Sequence, residues 1–276
     1  MDNNGKEIQG SKGAEGREYI NLLFKVEKEI ENLSFEEKKQ KRQEASQPIL
    51  GKAIYASSSA DVVNGMTFSD TLIYLVFATS LFNFMDAYIV WDMQNDIQTG
   101  KIILDIIKPM KYQVYCFAQY VGKLITSFFI TLLPTFLIVY CATKGYIALN
   151  VNMIFFSISV ICAIVINYCF DFMVGTICLY SQSTWGINMM KEVVVMLLSG
   201  VLVPVAFYPP WLKTSVGLLP FQAIYNIPLK ILIDKYFDIS TYLQWIGIQL
   251  IWVFVMIILS HLFWKKSIRI ITINGG

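Results

Sequence analysis

Leu198-Ser-Gly-Val-Leu-Val-Pro-Val-Ala-Phe-Tyr-Pro-Pro-Trp-Leu212, followed by Leu219-Pro-Phe-Gln-Ala-Ile-Tyr-Asn-Ile-Pro228, decides how this chain is read. An apolar stretch long enough to span a bilayer runs into Pro204, Pro209 and Pro210. A second pair, Pro220 and Pro228, brackets a short aromatic segment. Prolines that break a helix at membrane depth need protein or water around them to satisfy the freed backbone groups. The stretch therefore reads as a broken, re-entrant element inside a transport protein.

Outward from this run the composition agrees. The 276 residues are 55% hydrophobic, with a mean hydropathy of +0.53, far from the soluble norm. The net charge of +2 conceals an uneven distribution: residues 1–52 hold ten Lys/Arg and ten Asp/Glu, out of 22 and 20 in the chain. Two kinds of sequence thus join near Gly51, a charged segment over 1–51 and an apolar one over 52–276. Cys116, Cys141, Cys162, Cys169 and Cys178 lie in apolar stretches without a Cys-x-x-Cys pair, which argues against a zinc or disulfide framework. The first long apolar run begins near Thr71, so no signal peptide is expected.

In the charged segment, residues 1–16 read as flexible. Ile20, Leu23, Phe24, Val26, Ile30 and Leu33 follow helical spacing, and Ser34 with Glu37 suggests a second helix start. Beyond Gly51, spanning windows recur at Thr71–Trp91, Val114–Cys141, Met153–Leu179, Val193–Phe207 and Tyr242–Trp264. The fold class is an all-α polytopic membrane bundle of about five spans behind a short soluble helical segment. Pro134 is a candidate kink in the second span. Lys265, Lys266 and Arg269 follow the last span and place the C-terminus in the cytoplasm. The alternation then puts the 91–111 loop inside and residues 53–69 outside, so a span is missing before Gly65.

The inner loop carries Ile102, Ile103, Ile106 and Ile107 as an apolar face, with Lys101, Asp105 and Lys108 opposite and Pro109 as terminator. Such a helix lies on the membrane or docks into a partner's groove. Intramembrane ionisable residues carry a functional expectation by default. Asp171, with Asn167 on the same face, lines a path or pairs between helices; Asp86 and Asn83 read as capping or snorkelling, and Lys191-Glu192 as an anchor at the membrane edge. No phosphate-binding Gly-x-x-x-x-Gly-Lys-Ser/Thr occurs, so the chain is not expected to hydrolyse ATP. No cofactor, metal site or nucleic acid is expected.

Two runs of residues resemble the permease subunits of ABC-2-type exporters. The loop contributes Asp96, Ile97, Gly100, Leu104, Ile107, Lys108 and Pro109. The Pro-rich region contributes Gly200, Pro204, Phe207, Pro209, Trp211, Leu212, Leu219, Pro220, Phe221, Ile224, Tyr225 and Pro228. Ala53-Ile54-Tyr55 and Gly65-Met66-Thr67 fit the stretch before the family's second span. The resemblance implies six spans, a separate ABC ATP-binding subunit gripped by residues 97–109 (Gly100, Leu104, Asp105, Lys108, Pro109), and a second permease copy or paralogue around a central path in the cell membrane. It also implies a re-entrant segment, Gly200 to Pro228, dipping back from the outer face. The family's first span is absent from this pattern.

Ile20–Glu27 and Arg42–Leu50 instead resemble an internal helical stretch of insertion-sequence transposases, one that carries none of that family's catalytic residues. Together these readings suggest a truncated permease with a fused transposase fragment, whose product need not work. The alternatives are a transposase-derived remnant with a membrane tail, and a secondary transporter that needs no ATP.

Overall fold

The computed structural model describes residues 62–63, 66–143, 151–181, 184–234 and 238–270. The helices expected between residues 17 and 45 lie outside the described residues. The chain divides into two compact units, Met1–Thr79 and Ser80–Gly276.

In the first unit, β1 (Val62–Val63) pairs antiparallel with β2 (Met66–Thr67). Directly after it starts α1 (Phe68–Met85). Its first turn is closed by a reciprocal cap. The Thr67 backbone N–H and hydroxyl donate to Asp70 Oδ2 at 3.0 and 2.7 Å, and the Asp70 N–H donates to Thr67 Oγ1 at 3.2 Å. This is a capping box with aspartate in the acidic position.

The second unit is entirely helical where described. It contains the end of α1, then α2 (Ile89–Gln98), α3 (Ile102–Ile106), α4 (Tyr112–Ser127), a π turn (Phe128–Leu132) and α5 (Leu133–Ala142). It continues with α6 (Asn152–Thr176), which ends in a 3-10 turn, and α7 (Trp185–Ser199). The Pro-rich region follows: a 3-10 turn (Val205–Phe207), α8 (Pro210–Gly217), a further 3-10 turn (Pro220–Ala223) and α9 (Asn226–Ile233). Last comes α10 (Ile239–Ser267).

Four stretches among the described residues are long and apolar enough to cross a membrane: Ser69–Gln98, Tyr112–Ala142, Asn152–Leu179 and Ile239–Ser267. The protein is an all-α polytopic bundle. The fifth expected span, Val193–Phe207, does not form one. Its helix, α7, is 15 residues long, about 22 Å, and stops where Gly200 takes φ 86°. Only glycine adopts that conformation without a Cβ penalty, and Pro204 then prevents a restart in register.

The centre of the unit is α6, which packs against α10, α9 and α2. Half of its spanning window is buried, against 17% for Tyr112–Ala142 and 22% for Ile239–Ser267. Those two spans turn Ile125, Phe129, Ile130, Ile138, Ile251 and Phe254 outward, as lipid-facing helices do. Four of the five cysteines are buried and all are free; Cys141 is exposed.

The expected kink at Pro134 is a π turn over Phe128–Leu132, just ahead of the proline. The Thr131 carbonyl in this turn accepts the Thr135 hydroxyl at 2.8 Å and the Ser80 hydroxyl at 3.5 Å. The first span also breaks: Asp86, Ala87 and Tyr88 leave the helix, and Tyr88 sits at φ 53°, a conformation that costs a non-glycine residue on the order of 1 kcal/mol.

Contact between α2 and α6 depends on Gly175. A Cβ placed there would lie 2.7 Å from Met93 Sδ and 3.1 Å from Met93 Cβ. Gly175→Val is expected to push the two helices apart and to destabilise the protein by about 1–3 kcal/mol. A thermal-shift measurement in detergent checks this, with Gly186→Val as control, since a Cβ at Gly186 meets nothing within 4 Å.

Candidate functional site

The first candidate site is the loop from Ile97 to Met110. Helix α2 ends at Thr99, whose hydroxyl donates to the Asn95 carbonyl at 2.7 Å. Gly100 follows at φ 72°, the left-handed position that closes many helices. Asp96, almost fully buried, receives Lys101 Nζ at 3.0 Å. Asp105 receives Lys108 Nζ at 2.6 Å, and the ammonium also lies 3.9 Å above the Tyr115 ring.

The Asp96 carboxylate holds Lys101 above its ordinary pKa, and Asp105, followed by the Tyr115 hydroxyl, does the same for Lys108. Both shifts are upward, so their contribution is complete below the ordinary lysine value of about 10.4 and fades as pH rises through the raised value. At neutral pH both pairs are formed.

The facing of α3 differs from the sequence expectation. Asp105 is 2% exposed and turned inward together with Ile102, while Ile103, Leu104, Ile107 and Met110 are 51, 67, 74 and 51% exposed. The second Asp105 oxygen is buried without a partner among the described residues, which leaves Lys108 as the group that neutralises it. A five-residue helix has one inward stripe. Here the acid that locks the loop shares it with Ile102 and leaves Ile103 and Ile107 outward. Pro109 lies beyond the helix, in the bend to Tyr112.

Behind the loop, Tyr112 stacks on Trp264 at 4.8 Å and packs against Phe172 at 6.2 Å. The Tyr168 hydroxyl donates to the Gln113 carbonyl at 2.5 Å, and the Gln113 side chain donates to Ser260 at 2.8 Å. The foot of α4 is thereby fixed to α6 and α10. Lys123, one residue before the uncharged run Leu124–Ala142, pairs with Asp92 of α2. That run is about 28 Å long, close to a hydrocarbon core of about 30 Å.

The second site is a buried polar cluster. Asn167 and Asp171, the expected path-lining pair, do sit together: Asn167 Nδ2 donates to Asp171 Oδ2 at 3.2 Å. Sequence reading missed their partners. Lys191 Nζ donates to Asp171 Oδ1 at 2.7 Å, with its side chain 18% exposed. Glu192 is buried and accepts from Asn188 Nδ2 at 2.9 Å. Lys191-Glu192 is therefore no edge anchor. Lys191 turns into the protein because Asp171 demands a counter-charge, and Glu192 beside it is held by Asn188. Asp86, expected as a cap, joins Phe82, Asn167, Asp171, Lys191 and Tyr225 around a cavity of about 20 Å³, room for about one water. Removing either partner of the Asp171–Lys191 pair alone would leave a buried charge, at a cost of about 3–5 kcal/mol.

The Pro-rich segment closes over this cluster. Pro209 caps α8, and Pro210 occupies its first turn, where a missing N–H costs nothing. Pro220 is buried at the start of its 3-10 turn, and Phe221 stacks on Phe170 at 5.2 Å. Tyr225 is buried with its ring 6.0 Å from Phe82, and Pro228 is buried in the first turn of α9. Trp211, in contrast, is 70% exposed. Gln249 of α10 pins the turn: its Nε2 donates to the carbonyls of Ala223 (2.8 Å) and Ser159 (3.2 Å), and its Oε1 accepts the Ser159 hydroxyl at 2.8 Å.

Residues 48–275 match the family described as ABC-2 family transporter protein. The chain belongs to the ABC-2 transporter family. No curated protein matches it. As an ABC-2 protein it is a multi-pass membrane permease component of an ABC transporter, and the family implies an ABC ATP-binding subunit as partner.

For the pinned turn, Gln249→Leu strips three hydrogen bonds from buried groups. It is expected to lower stability by about 1–3 kcal/mol while leaving membrane insertion unchanged, measured as the midpoint of thermal unfolding against the amount of protein in the membrane fraction.

Proposed function

We propose that this chain is the permease of an ABC exporter whose ATP-binding subunit is a separate protein that docks on the 97–109 loop. The observation that carries the reading is the outward row Ile103, Leu104, Ile107 and Met110, held on a loop locked by two buried aspartates, each paired with an exposed lysine. Apolar side chains so exposed, on an element so constrained, are the pattern of a helix presented to a groove. Lys265, Lys266 and Arg269 at the end of α10 support a cytoplasmic C-terminus and the same side for the loop. The Pro-rich segment from Gly200 to Pro228 then dips in from the outer face. A second permease copy or paralogue completes the path beside this one.

The family match from residue 48 supports dividing the chain near residue 51. The resemblance of Ile20–Glu27 and Arg42–Leu50 to a transposase helix supports reading residues 1–51 as a segment acquired by fusion, with the family's first span replaced. Asn167 and Asp171 belong to the path when it is open; the one-water cavity around them corresponds to its closed form.

Burying a leucine or isoleucine contributes about 1.5–3 kcal/mol. Leu104→Asp or Ile107→Asp is therefore expected to weaken co-purification with a co-expressed ATP-binding subunit tenfold or more, with the permease still in the membrane. Gly100→Val and replacement of Pro109 are expected to abolish ATP-driven transport in proteoliposomes. Association and transport at wild-type level in all four variants would refute the dock.

A further inference from the structure

We propose that the Asp171–Lys191 pair is an interlock that passes movement of α2 to the Pro-rich segment, a positioning role that rests on reading the 97–109 loop as the ATPase dock. Helix α2 leads directly into that loop; Met85, four residues before it, bonds α4 and α6, and Gln94 within it bonds the start of α7. At its start, the break after α1 leaves the Met85 carbonyl, which accepts the Tyr120 hydroxyl at 3.1 Å and Asn167 Nδ2 at 3.4 Å. Asn167 also donates to the Tyr120 oxygen at 3.1 Å and to Asp171 at 3.2 Å. Asp171 takes Lys191 of α7 at 2.7 Å. Toward its other end, Gln94 Oε1 accepts the N–H and hydroxyl of Thr184 at 2.9 and 2.6 Å, and Thr184 is the residue on which α7 begins.

Helix α7 is thus held by α2 at its first residue and by α6, through Lys191, about two turns later. Displacing α2 while Lys191 stays fixed must tilt α7. The far end of α7 runs through Gly200 into the Pro-rich segment, whose Tyr225 lines the cavity beside the pair. An ion pair is an unlikely choice if cohesion alone were needed, because apolar residues of similar volume at buried sites are commonly as stable or more so. What the pair adds is a single register of α7 on α6.

The test uses the full-length permease with its ATP-binding subunit in proteoliposomes, Cys141→Ser to silence the exposed thiol, and Leu218→Cys as a reporter. Leu218 lies after α8 and is 75% exposed. A membrane-impermeant maleimide then reads its labelling rate with and without ATP. The parent complex is expected to change rate about fivefold or more, the lower range of typical coupling. The apolar pair Asp171→Leu with Lys191→Met, made with Glu192→Gln so that the neighbouring buried acid is not left without a cation, is expected to keep its thermal midpoint and its association with the ATPase but to lose this response. A retained response would make the pair merely structural and overturn the interlock; so would a parent complex that hydrolyses ATP with no change at Leu218.

If the apolar pair does not accumulate, Lys191→Arg against Lys191→Gln decides. Arginine is expected to keep the response and glutamine to lose it, and equal responses overturn the proposal. Association is scored separately with Leu104→Asp. Intact association in that variant refutes the dock, whereas lost association there, together with a retained response in the apolar pair, refutes the interlock alone.

Discussion

A backbone group that leaves a helix inside hydrocarbon has no water to bond, so the protein itself must supply a partner. Among the described residues, three interruptions of the helices are met by a side chain packed against them. After α1 the Met85 carbonyl is taken by Tyr120 and Asn167. In the π turn the Thr131 carbonyl is taken by Thr135 and Ser80. In the Pro-rich turn the Ala223 carbonyl is taken by Gln249. Asn167 and Gln249, two buried amides, are therefore explained by backbone irregularity elsewhere, and α6 is central because it sits between the breaks.

Charge follows the same logic. Asp92–Lys123, Asp96–Lys101 and Asp105–Lys108 gather where α2, α3 and the foot of α4 leave the apolar zone. Among the described residues, Asp171–Lys191 is the pair set deeper, beside the end of α1 and the tip of the Pro-rich segment. The loop that presents apolar side chains outward is thus stiffened by pairs at its own base. That inner pair joins α6 to α7, the helix that leads into the Pro-rich segment.

Much of this was legible beforehand because it rests on local chemistry. Pro204, Pro209, Pro210 and Pro220 announce a segment that cannot be one helix, and Gly100 and Gly200 occupy the left-handed positions where helices stop. The Lys265–Lys266 cluster marks the end of the last helix in the same way. What failed was facing. Helical spacing over Lys101–Lys108 permits two opposite orientations, and the buried Asp105, bonded to Lys108, selects the one that hydrophobicity alone would reject. Lys191 was misread for a related reason: α7 was taken as a span starting at the membrane edge, although an aspartate at position 171 already required a cation from a neighbouring helix. Tyr120, Gln94 and Gln249 gave no signal at all, since their roles depend on which carbonyls lie opposite them.

The partners of that deep pair are only 20 residues apart in the chain, on consecutive helices. During synthesis, a lone aspartate entering the bilayer costs about 2.5–3.5 kcal/mol. Here α7 emerges directly behind α6 and carries the neutralising lysine with it. The order in which the chain is made therefore delivers a cation to Asp171 directly behind it, while Glu192 arrives already bonded to Asn188 one turn earlier on α7.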